Sequence, residues 1–84
     1  MADASFTFPK GIFKNYSVVF DSLPASIEFI SDDKSIDIVE FTIKPGIERA
    51  DFFDKLMDIR LDICEKENFY TDITNGGISY NFHK

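Results

Sequence analysis

The 84-residue chain has one cysteine, one histidine and no tryptophan. With Cys64 alone, no intrachain disulfide can form, which suits a reducing compartment. One thiol and one imidazole also fall short of the roughly four nitrogen or sulfur ligands of a zinc site. Asp32, Asp33 and Asp37 lack the spacing and the glycine of a calcium loop. Nucleophilic catalysis needs a nucleophile, a base and an orienting group. Neither G-x-S-x-G nor a phosphate-binding loop occurs, and NGG (75–77) reads as a turn. No pair of carboxylates is singled out for acid–base work. The expectation is a protein that is not an enzyme and carries no metal or cofactor.

Positive charge is scarce. Nine Lys and Arg face fifteen Asp and Glu, giving a net charge of −6 and a pI near 4.5. Nucleic-acid binding rests on cations that neutralise phosphates, so this balance argues against it. It suits a basic protein partner, or solubility alone. No stretch approaches the roughly 18 apolar residues of a membrane span. MADASFTFPKG has no basic start and no apolar core of a signal peptide, so a cytoplasmic location is expected. Proline and glycine are few and sit at Pro9–Gly11, Pro24, Pro45–Gly46 and Gly76–Gly77. Neither linker nor repeat breaks the chain, so 1–84 reads as one domain.

Aromatic residues, by contrast, are abundant: ten Phe and three Tyr, 15% of the chain. That content excludes disorder and supplies a small domain with large buried rings. Residues 1–13 read as an N-terminal arm or short edge strand. In KNYSVVF, Tyr16, Val18 and Phe20 alternate, as in a half-buried strand. SIEFIS and SIDIVEFTIK follow, separated by a polar turn at DDKS. The last strand changes phase between Ile38 and Val39. Either a β-bulge restores one face, or a central strand is covered on both faces; the second reading is preferred.

KPG ends that strand, and a helix is expected over about 48–67, with acids at its start and Asn68 as its stop. FYTDIT–NGG–ISYNFHK then reads as a hairpin. The predicted fold is α+β: an antiparallel sheet built from a three-stranded meander (about 14–44) and a C-terminal hairpin (about 69–83), packed against one helix.

At about 100° per residue, the helix divides into three faces. Phe52, Leu56, Ile59 and Ile63 form the natural core stripe. Asp51, Asp54, Asp58, Asp62 and Glu65 gather in an arc of about 80°. Seven acids and four bases lie between Glu48 and Glu67. Asp51–Lys55 and Asp62–Lys66 have the favourable i,i+4 order. The arc is either a solvated back or a face that recognises a basic protein. Ala50, Phe53, Met57, Leu61 and Cys64 form a second oily flank. It is covered by the N-terminal segment, joins a homodimer, or holds a small apolar ligand. Arg60 lies between the two oily sets, snorkelling, pairing with Glu28 or Glu40, or meeting an anion.

The leading functional expectation is therefore a non-catalytic acidic interaction protein of inhibitor, immunity or adaptor type. The alternative is a small ligand-binding module, monomeric or dimeric, with an apolar pocket between sheet and helix, involving Phe53, Met57, Arg60, Leu61 and Cys64.

Overall fold

The computed structural model of the protein describes residues 2–31 and 35–84. In chain order, β1 (Ala4–Pro9) leads through a 3₁₀ turn (Phe13–Asn15) to the short helix α1 (Ser17–Asp21). Then come β2 (Ala25–Ser31), β3 (Ile36–Ile43), α2 (Arg49–Glu67), β4 (Tyr70–Thr74) and β5 (Ser79–His83). The five strands form one sheet in the order β2-β3-β1-β5-β4. β1 runs antiparallel to β3 and parallel to β5; β2–β3 and β4–β5 are antiparallel.

The α+β class, the long helix and the C-terminal hairpin are as expected from the sequence. Helix α2 stops where Asn68 turns left-handed at φ 58°. There its N–H donates to the Cys64 carbonyl, closing the last turn. The β4–β5 loop spans residues 75–78, between the pair Thr74↔Ser79, and Asn75, Gly76 and Gly77 take positive φ values of 56°, 72° and 92° there, the conformations that Asn-Gly sequences favour in hairpin loops. The expected turn at 32–34 lies outside the described residues.

Three expectations need correction. Residues 1–13 form neither an arm nor an edge strand: β1 is the middle strand of the sheet, with Phe6 and Phe8 buried. The sheet is mixed rather than antiparallel, because β1 and β5 pair in parallel. The meander over 14–44 does not exist, because 17–21 is helical. Tyr16 and Phe20 fit both periods, being two apart twice and also i,i+4. Phe13 and Val18 decide between them. Phe13 stacks on Phe20 with ring centroids 5.7 Å apart, while Val18, a core residue on the strand reading, is 81% exposed.

The sheet has one covered face. Phe6 sits at its centre, with the rings of Phe8, Phe20, Phe41, Tyr80 and Phe82 4.9–5.8 Å away. Val39 packs in the same layer, and Phe52, Leu56 and Ile63 of α2 close it from above. Because all these side chains leave the sheet on one side, the phase change in β3 becomes intelligible. The register is unbroken from Ala4↔Phe41 to Pro9↔Ile36 and from Ala25↔Ile43 to Ser31↔Asp37, so there is no bulge. Val39, Phe41 and Ile43 point toward the helices; Ile36 and Ile38 lie on the other face, half-buried and without a covering layer among the described residues, so the preferred reading of a strand covered on both faces does not hold either.

Two polar contacts lock the connections. Asp37 is buried on the helix side of β3, accepts the Gly11 N–H at 2.9 Å and faces Lys10 Nζ at 3.4 Å. Gly11, at φ +93°, can make the turn that directs the chain from β1 into the 3₁₀ segment. Tyr16 donates its hydroxyl to Glu67 at 2.7 Å, tying the start of α1 to the last turn of α2. Burial pushes the Tyr16 phenol well above its ordinary range, and the Glu67 carboxylate adds to the shift. Tyr80 is raised chiefly by burial, against the pull of the nearby Arg60 charge.

A raised tyrosine pKa means the folded state holds its proton after the unfolded chain has released it. That contribution is complete below about pH 10 and declines as pH climbs above it, by up to about 1.4 kcal/mol per pH unit for each such tyrosine. Urea unfolding of Tyr16→Phe should show about 1.5–3 kcal/mol lost at neutral pH, since the bond ends on a charged acceptor. Above pH 10 the variant should lose stability less steeply than the wild type. Parallel curves would mean that Tyr16 ionises as freely in the folded state as in the unfolded one.

Candidate functional site

Helix α2 is held to the sheet by Phe52, Leu56 and Ile63, all fully buried, and its opposite side carries the acids. Asp51, Asp54, Asp58, Asp62 and Glu65 are all exposed. The 3.6-residue period that buries the apolar stripe necessarily turns this arc outward. Asp62 pairs with Lys66 at 3.2 Å; among the described residues, no such ion pair joins Asp51 to Lys55. The result is a row of exposed carboxylates from Asp51 to Glu65 along a helix anchored to the core by its other side.

The second flank meets the C-terminal hairpin. Cys64 Sγ lies 2.8 Å from Thr71 Oγ1. Phe53, Met57 and Cys64 are half-buried against the core, while Ala50 and Leu61 are exposed. The N-terminal segment does not cover this flank, because it lies inside the sheet as β1. Phe53, with Arg49, Ala50 and residues 76–78, lines a shallow surface cleft of about 310 Å³. Arg49 sits 5.1 Å above the Phe53 ring and pairs with Asp3 at 3.1 Å. Met57 and Leu61 do not line that cleft.

Arg60 is half-buried beneath the helix, with Nε shielded from solvent and without a hydrogen-bond partner among the described residues. It does not pair with Glu28 or Glu40. Strand parity puts both carboxylates on the uncovered face of the sheet, directly opposite one another. The same parity separates Cys64 from His83. The thiol is on the helix side, and His83 is on the far face, paired with Asp72 at 3.1 Å. Among the described residues no three His, Cys, Asp or Glu side chains cluster to hold a metal ion, and no helix is long and apolar enough to cross a membrane.

Sequence reasoning missed the uncovered sheet face and the exposed edge of β2, where Phe29 is 46% and Ile30 38% exposed. The alternation of β2 was visible, but its position at the edge depends on a pairing with β3 and on the insertion of β1, neither of which is local. A shallow cleft of about 480 Å³ lies at one end of the uncovered face near Pro9, Ile36, Tyr70 and His83. Comparison with known protein families, with curated proteins and with solved structures returned no match.

Proposed function

We propose that this is a non-catalytic interaction protein that binds a basic protein partner through the outer face of α2, in the manner of an inhibitor, immunity factor or adaptor. The observation that carries the reading is that all five carboxylates of the arc are exposed along one side of a helix fixed to the core by its other side. Negative potential spread along this ridge speeds encounter with a positive surface, and a few contacts then set the lifetime of the complex. The test is recovery of partners from native lysate, with wild type and Asp54→Lys/Asp58→Lys/Asp62→Lys as parallel baits. A basic protein retained by the wild type and lost by the folded variant supports the reading. Identical recoveries by both baits would remove it.

A second reading rests on the cleft beside Phe53. A small apolar ligand held there would be gripped by that ring and by Ile78, with Arg49 at the rim. Saturating ligand should raise the melting temperature by several degrees, since about 100-fold excess over Kd contributes about 2.7 kcal/mol. Absence of any shift across an apolar-ligand panel would rule the cleft out as a ligand site.

A further inference from the structure

The sheet has two edges, and they are built differently. β4 is five residues long, carries Asp72 and lies beside α2. β2 is seven residues long, ASIEFIS, and contains no lysine, no proline and no bulge. These are the devices by which proteins keep an edge from pairing. Ten residues from Ser22 to Ser31 hold one charged group, Glu28, in a chain with 24. β2 carries Ile27 and Phe29 on the helix side and, beside Ser26 and Glu28, Ile30 on the other. Phe29 already stacks on Phe13 at 4.4 Å, which presents a flat aromatic pair beside the open edge.

The backbone of that edge is set by the pairing with β3. The Lys44 N–H donates to the Pro24 carbonyl at 3.2 Å. Residues 24, 26, 28 and 30 therefore direct their polar groups inward, and the antiparallel alternation turns those of Ile27, Phe29 and Ser31 outward. From this geometry we propose that two copies of the chain join through β2, antiparallel, about a two-fold axis at Phe29. Odd residues then meet odd residues: Phe29 opposes Phe29 of the second copy, and Ile27 opposes Ser31, so the outward N–H and C=O groups find partners. Glu28 opposes Ile30 of the second copy. An axis through Glu28 would instead set Glu28 against its own copy, a like-charge pair that this register avoids. The joined sheets form one continuous surface, and the acidic face of α2 stays outside the contact. The inference is independent of the function proposed above.

Ile30 tests the register. Sedimentation of the wild-type chain should show a concentration-dependent dimer. Ile30→Glu places a second carboxylate against Glu28 at two symmetric positions and should weaken the dimer by about tenfold or more. Ile30→Lys removes the same apolar side chain but meets Glu28 with the opposite charge, and should dimerise at least as well as wild type. Circular dichroism of both variants checks that any loss of dimer is not a loss of fold. Higher salt should tighten the wild-type dimer by screening two copies of net charge −6, the reverse of its effect on an acidic–basic complex. A wild-type monomer at every concentration would overturn the proposal and leave β2 to a strand of another protein. Equal dimerisation of the Glu and Lys variants would overturn it too, placing the contact elsewhere.

Discussion

Phe6→Ala should remove about 3–5 kcal/mol of stability, the cost of deleting a large buried ring whose neighbours cannot collapse into the space. Phe6 is fully buried on the middle strand and is in ring contact with five other aromatics drawn from β1, α1, β3 and β5. No neighbouring side chain can close the cavity without breaking another of those contacts. A domain of this length has a total stability of about 4–13 kcal/mol. The variant should therefore melt at least about 15 °C lower, or fail to fold. Val18→Ala provides the contrast. Val18 is exposed on α1, so its loss should change stability by no more than about 0.5 kcal/mol. A large effect at Val18 with a small one at Phe6 would contradict the architecture, because it would put 16–20 back into a strand and β1 at the periphery.

Under the proposed function, reversal of three charges on α2 should slow association with a basic partner by about 10- to 1,000-fold, the range that electrostatic steering spans. Asp54→Lys/Asp58→Lys/Asp62→Lys raises the net charge by two units at each site, from −6 to zero. A control with the same net charge, Asp21→Lys/Glu40→Lys/Asp72→Lys, separates the effect of the ridge from that of total charge. Stopped-flow association rates should fall much further for the first variant than for the control. The wild-type rate should also fall as salt shortens the screening length from about 30 Å at 0.01 M to about 8 Å at 0.15 M. Equal losses in both variants would assign the effect to overall charge. A rate insensitive to salt would show that the ridge does not steer.

Both experiments rest on features of different legibility. The ridge could be read directly, because a helix imposes a fixed angle per residue and every acid in the arc lies within a few turns of the others. Alternation failed at Tyr16–Phe20, where two periods share the same endpoints and the deciding residue, Val18, can only be judged by what surrounds it. The flip in β3 was visible as an inconsistency, and its cause required knowing that one face of the sheet is open.

What the sequence determined alone is local: the helix over Arg49–Glu67, its left-handed stop at Asn68, the Asn-Gly hairpin, the acidic arc, and an aromatic content sufficient for a core. Each follows from periodicity or from the backbone preferences of a few adjacent residues. Tertiary structure decided the rest. It placed β1 in the middle of the sheet, paired it in parallel with β5 more than 70 residues away, left β2 as an unguarded edge, and put Glu28 and Glu40 on the face away from Arg60. Strand partners are chosen by long-range burial of the rings around Phe6, and nothing within a single strand records which neighbour it will meet.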